Sequence, residues 1–158
     1  MNNQSNNKIF TVVICLIAIL IVTSATPLTA DAASKKEYYI VGDYDYSYLY
    51  ELHGIRVKDA KLIYRNSSVI TVKGDWNKGK SLEKAYKAQE KHQYTRVNKR
   101  YKVSRNCKVV EVLPPKNQNH SWNKWRKTRR YKKNRTIRFI ECALKVRNGK
   151  IVKIYFSA

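Results

Sequence analysis

Three histidines, His53, His92 and His120, are the side chains best suited to acid–base chemistry at neutral pH. None has the short spacing that places two imidazoles on one metal ion, so the sequence predicts no metal site and no cofactor. Two imidazoles beside a phosphate-binding lysine can cleave RNA, and His53, His120 and Lys124 are the candidates for such a ribonuclease-like hydrolase. No catalytic motif supports that alternative, and the sequence favours a protein that is not an enzyme.

Two cysteines, Cys107 and Cys142, follow the N-terminal apolar segment. Outside the cell they can form a disulfide, which would close a loop of about 35 residues and contribute about 3 kcal/mol. The alternative is two buried free thiols that pack as small apolar side chains. Their spacing leaves both arrangements open.

A dense run of positive charge marks the later half of the chain. Nine bases and no acid lie between Lys116 and Arg135. Such a segment attracts polyanions, and the predicted partners are teichoic acid, nucleic acid and anionic lipid surfaces. Two tryptophans and Tyr131 lie among these bases and offer rings for stacking on a base or sugar. The predicted polyanion-binding residues are Lys124, Arg126, Lys127, Arg129, Arg130, Lys132, Lys133, Arg135, Trp122 and Trp125.

The same tryptophans have a structural interpretation. Ser121 is positioned to cap a helix that runs to about Lys133 and carries Trp122, Trp125 and Arg129 at helical spacing. On that interpretation the rings pack into the core while the bases remain solvated. The bases are available to a polyanion either way.

An acidic, tyrosine-rich segment lies near the start of the predicted domain. From Glu37 to Leu52 there are four acids and no base. Tyrosines alternate with other residues from Tyr44 to Tyr50, which predicts a strand with four tyrosines on one face. That face either packs on the core or docks a sugar or a protein. A further alternative pairs this segment with the basic run and gives a structural, self-associating surface protein.

Turn and cap residues divide the remaining chain into hairpins and short helices. Residues 65–68 separate two β-rich runs, and residues 104–106 separate two more. Ser81 is positioned to cap a helix between these hairpins. Asn148 and Gly149 are the pair favoured in type I′ turns, and they predict a last hairpin that is apolar on both faces.

In that last hairpin, Val146 is expected opposite Ile151 and Cys142 opposite Tyr155. The elements together indicate an α+β domain. It is expected to be a small antiparallel sheet or partly open barrel built from hairpins, with one or two short helices, after an N-terminal signal helix.

The N-terminus has the pattern of a bacterial secretory signal peptide. Lys8 precedes an uncharged apolar run from Ile9 to Val22, and small residues lead to Ala32. The run is shorter than the ~20 residues of a membrane span, so we expect cleavage after Ala32 rather than an uncleaved anchor. Residues 1–32 are then the signal peptide, and residues 33–158 form a single basic domain, secreted or associated with the cell wall.

Overall fold

The computed structural model describes residues 36–113 and 115–157. The signal peptide predicted over residues 1–32 lies outside the described residues and stays a prediction. Within the described part of the chain, no helix is both long enough and apolar enough to cross a membrane.

Strands dominate the described part of the chain. The strands are β1 (Glu37–Asp43), β2 (Lys61–Asn66), β3 (Val69–Gly79), β4 (Tyr94–Val112), β5 (Gln118–Ser121), β6 (Thr136–Ile137), β7 (Glu141–Arg147) and β8 (Lys150–Ser157). The helices are α1 (Ser47–His53), α2 (Leu82–Glu90) and α3 (Trp122–Thr128).

Five of the strands close into a barrel. The pairing runs β1–β3–β4–β8–β7 and returns to β1. All these pairs are antiparallel except β4–β8, which is parallel. The prediction of a small β-rich fold is confirmed, but the barrel is closed rather than partly open, and the described part of the chain has three helices.

Strand β4 reaches two sides of the barrel because it is long and bends. Its first half pairs with β3, while its second half pairs with β8 and β5. The turn predicted at residues 104–106 is wrong, since these residues continue the strand. They fall where the pairing with β8 shifts register between Val103 and Lys108, and a bulge of this kind bends a strand.

The strand predicted for the tyrosine-rich segment is also wrong. Strand β1 ends at Asp43, and α1 follows. Helical spacing brings Tyr46 and Leu49, three residues apart, into the core, whereas Tyr48 and Tyr50 face solvent. Gly54 ends the helix in the left-handed conformation.

The two predicted helix caps and the predicted last turn are confirmed. The Ser81 and Ser121 side chains cap α2 and α3 by accepting hydrogen bonds from the backbone three residues on. Asn148 and Gly149 have φ of 50° and 73° and form the final turn. Val146 pairs with Ile151 as predicted, but Cys142 pairs with Phe156, because an irregularity after Lys145 shifts the register by one.

Both faces of the last hairpin are covered, as its sequence predicts. Leu144 and Ile154 lie in the main core inside the barrel. On the outer face, Ala143 packs with Val41 beneath Ala85 of α2. Helix α2 therefore lies outside the barrel, and α3 contributes its tryptophans to the main core.

Cys107 and Cys142 are buried free thiols, which is the second of the two arrangements. Cys142 pairs with Phe156, which pairs in turn with Glu111 of β4. Cys107 therefore lies two strands away and four residues back along β4, roughly 13 Å along the strand. A disulfide needs Cα atoms within about 7 Å. The register excludes the bridge, and burial raises the pKa of Cys107 to about 12.

Candidate functional site

A cleft of about 250 Å³ opens where the parallel strands β4 and β8 end. We call it the cationic cleft, because its polar lining includes Arg129, Arg135 and Arg138. Its wall also contains Glu111, together with the rings of Trp125, Tyr131, Phe139 and Phe156. Two of its arginines, Arg129 and Arg135, belong to the basic run identified in the sequence, and Arg138 extends that run.

Glu111 anchors one wall of the cationic cleft. It is 7% exposed, although it carries a charge. Its Oε1 accepts hydrogen bonds from Nε1 of Trp125, at 2.9 Å, and from the Arg129 guanidinium. Nε2 of His120 lies 3.1 Å from its Oε2. One carboxylate thus ties β5, α3 and the segment after α3 to strand β4.

The charge of Glu111 is stabilised where it lies. Burial alone would raise its pKa, but hydrogen bonds from Trp125 and Arg129 outweigh burial and hold the pKa of this carboxyl below its ordinary value. A carboxylate with a lowered pKa is a weak general base. We therefore assign Glu111 to positioning Arg129 at the cleft wall.

Acidification tests this role. Glu111→Gln is expected to lower the free energy of unfolding at pH 7 by about 1–3 kcal/mol, since an amide satisfies the buried donors less well. The pKa of Glu111 is lower in the folded chain than in the unfolded chain. Its charge therefore stabilises the folded state at pH values above the pKa of the unfolded chain, and this stabilisation is lost as the pH falls through the pKa of the folded chain. Urea unfolding of both proteins should show the difference shrinking as the pH falls below the ordinary pKa of a glutamate.

Glu83→Gln is the control for that experiment. Glu83 pairs with Lys87 on the exposed face of α2, and such surface pairs contribute little. Its unfolding midpoint should stay close to that of the wild type. Parallel pH profiles for the wild type and Glu111→Gln would show that Glu111 does not anchor the cleft through its charge.

The rings of Trp122 and Trp125 both lie in the core, so their predicted stacking role stays a prediction. They are 1% and 5% exposed. Nε1 of Trp122 donates to the carbonyl oxygen of Ser67 at 2.8 Å, and the Trp125 ring stacks on Phe156 at 4.9 Å. Apolar rings at helical spacing were drawn inward by burial, as the structural interpretation expected.

The predicted bases remain on the surface. Arg126 is half-buried and donates to Asn123, and the other seven are exposed. Arg129 and Arg135 line the cleft, and the remaining five exposed bases surround α3 and the segment that follows it. These five are Lys124, Lys127, Arg130, Lys132 and Lys133.

The residues of the ribonuclease-like alternative are not brought together. His53 ends α1 and lies beside His92, just before the first residue of β4. His120 pairs with Val109, near the opposite end of the same strand. The length of β4 therefore separates the two imidazoles.

Sequence reasoning missed Glu111 and Arg138 as cleft residues. Arg138 lies just outside the acid-free run that drew attention, and Glu111 stands in an apolar strand. A charged residue is rarely buried unless it is paired, so a glutamate within an apolar strand was the feature that could have predicted a paired carboxylate at Glu111.

Comparison with known proteins found no match: no family model, no curated protein and no solved structure is similar to this chain. The polar side chains that line the cationic cleft are three arginines, one tyrosine, the hydroxyls of Thr136 and Ser157, and one carboxylate that is already paired.

Proposed function

We propose that this domain is a secreted or cell-wall-associated protein that binds extracellular polyanions at the cationic cleft. One observation carries the proposal. Arg135 and Arg138 line the cleft, and among the described residues no carboxylate forms an ion pair with either. Arg129, by contrast, is held by Glu111. Two guanidinium groups are left to bind an anion.

The chemistry of the lining suits phosphate groups. A guanidinium donates two parallel hydrogen bonds to a phosphate or carboxylate, which a lysine cannot do. Tyr131 lies half-buried beside Trp125, and desolvation raises its pKa to about 12. Its hydroxyl therefore keeps its proton and can donate to the same anion.

Long-range electrostatics add to this local chemistry. The chain has a formal net charge of +22, and exposed bases surround the cleft. A field of this sign raises the local concentration of a polyanion and accelerates its association. Teichoic acid, nucleic acid and anionic lipid surfaces all present the charge density that such a surface attracts.

The barrel topology supports a polymer ligand. Counted along the chain, the five barrel strands are β1, β3, β4, β7 and β8, and their ring order is 1-2-3-5-4-1 with α3 between the third and fourth. This is the strand order of the oligonucleotide/oligosaccharide-binding barrel, which binds its ligands on the face of its second and third strands, whereas the cationic cleft lies at the ends of the third and fifth strands. A fold does not determine a function, so the analogy bears only on the class of ligand.

Salt dependence of binding tests the proposal. If four or five bases contact phosphates of duplex DNA, the log–log salt slope should be near −4. Arg135→Ala/Arg138→Ala should reduce that slope by about 2 and weaken binding about tenfold or more in low salt. Fluorescence anisotropy with labelled duplex DNA gives both quantities, and competition with teichoic acid extends them to a cell-wall polymer.

The matched control changes the same amount of charge elsewhere. Lys80→Ala/Lys84→Ala removes two exposed bases at the start of α2, outside the cleft lining. It should lower affinity much less than the arginine pair does. Equal losses in the two double variants would overturn the cleft as the binding site. Labelled RNA recovered intact from the wild type would separate a binder from a ribonuclease.

A further inference from the structure

Tertiary structure brings together two histidines that the sequence separates. His53 is the last residue of α1, and His92 follows α2. Their ring centroids are 5.3 Å apart, with the ring planes inclined by 43°. Both residues are exposed, so a small solute can reach them. Neither residue belongs to the cationic cleft.

The separation of the rings matches two imidazoles on one metal ion. A Zn–N bond is about 2.0–2.1 Å long, and the ring centroid lies about 1.1 Å beyond the nitrogen. Two imidazoles at a tetrahedral angle then have centroids about 5.2 Å apart. The observed 5.3 Å is compatible with this value. It is also compatible with aromatic stacking, which spans about 4.5–7 Å, so the metal titration below distinguishes the two.

The backbone at His92 is held by two hydrogen bonds. His92 has φ of 54°, in the left-handed region. Its N–H donates to the carbonyl of Gln89, and the N–H of Gln93 donates to that of Ala88. These two bonds form a Schellman motif, in which the left-handed position is usually glycine and sometimes asparagine. Histidine, like asparagine and aspartate, is enriched in this conformation, and the motif fixes where the His92 side chain leaves the end of α2.

Neighbouring contacts hold the two histidines in place. Nε2 of Gln89, in the last turn of α2, donates to Oδ2 of Asp43 at 3.0 Å. Tyr94 packs edge-on against Tyr46 at 5.4 Å and stacks on His92 at 6.4 Å. The segment around α1 and the end of α2 are therefore joined independently of the imidazoles. A preformed pair of this kind loses little conformational freedom when it binds an ion.

We propose that His53 and His92 form a binding site for a divalent transition-metal ion that favours imidazole, such as Zn²⁺ or Cu²⁺. Within the described residues, no third histidine, cysteine or carboxylate completes a group of three ligands. Water or an external ligand fills the remaining coordination positions, so the ion is exchangeable. Of the four acids between Glu37 and Leu52, which precede His53, Glu37 pairs with Lys145 and Arg147, and the other three form no ion pair among the described residues.

The decisive variant is His92→Asn in the full chain. Asparagine adopts the left-handed conformation readily, so the metal-free variant should unfold at the wild-type temperature or above it. Zn²⁺ should raise the unfolding temperature of the wild type, and excess chelator should reverse the shift. The variant should lose that response, and its Zn²⁺ dissociation constant by calorimetry should rise at least tenfold. His53→Asn should lose the response in the same way.

His120→Asn is the control, because it removes the remaining histidine while leaving the pair intact. It should retain the Zn²⁺ response. Imidazole NMR resonances of the wild type identify the histidines that bind the ion, since Zn²⁺ should shift those of His53 and His92 but not those of His120. Equal Zn²⁺ affinity in the wild type and His92→Asn, or no Zn²⁺ response in the wild type, would overturn the proposal and leave a stacked pair without a ligand.

Discussion

Gly74→Ala is expected to abolish most of the stability of the barrel, with a loss above about 4 kcal/mol. Gly74 has φ of +96°, which disfavours any side chain, and an added Cβ would lie 1.9 Å from the backbone oxygen of Asp59. The segment it would strike cannot move freely. The Lys58 carbonyl accepts a bond from Asp75 N–H, and Ala60 N–H donates to Asp43. Urea unfolding measures the loss. If the variant does not fold, the cooperative unfolding transition should be absent.

Gly149→Ala is the control that separates the cost of the steric clash from the cost of a positive φ. Gly149 also has a positive φ, +73°, but an added Cβ would meet nothing within 4 Å. Its cost should be limited to about 1–2 kcal/mol, the penalty of the left-handed region. Similar losses for the two variants would mean that the close approach at Gly74 does not constrain the fold.

Trp122→Ala is expected to destabilise the protein by about 3–5 kcal/mol, because a large ring is deleted from the core. The ring is 1% exposed and lies near Tyr64, with centroids 6.3 Å apart. The salt slope of polyanion binding should be unchanged under conditions where the variant stays folded, since no phosphate contact is removed. Urea unfolding and anisotropy titrations on the same sample measure both quantities.

Trp122→Phe provides the control for ring burial. Phenylalanine keeps most of the apolar surface and loses the hydrogen bond to Ser67, so its cost should be smaller, about 1–2 kcal/mol. A Trp122→Ala variant with wild-type stability and weakened binding would support the stacking role that the sequence predicted.

Elements defined by short-range interactions could be predicted from the sequence. The caps at Ser81 and Ser121 act over three residues, and the Asn148-Gly149 turn acts over two. The strand predicted for the tyrosine-rich segment was wrong because a segment with a tyrosine at every second position also has apolar residues at helical spacing. Burial of Tyr46 and Leu49 on one side of α1 decided between the two periods.

Features that depend on distant parts of the chain could not be predicted. The parallel pairing of β4 with β8 closes the barrel between segments separated by three other strands and a helix. No local pattern specifies such a pairing. The same holds for Glu111, whose donors come from three elements, and for His53 and His92, which belong to different helix ends.

The cationic character of this protein is determined by its sequence alone, because net charge and its segregation along the chain do not depend on the fold. Which cations are free to bind a ligand was decided only by the tertiary structure. An ion pair requires atoms within a few ångströms, and only folding places Arg129 on Glu111 while Arg135 and Arg138 face the cleft.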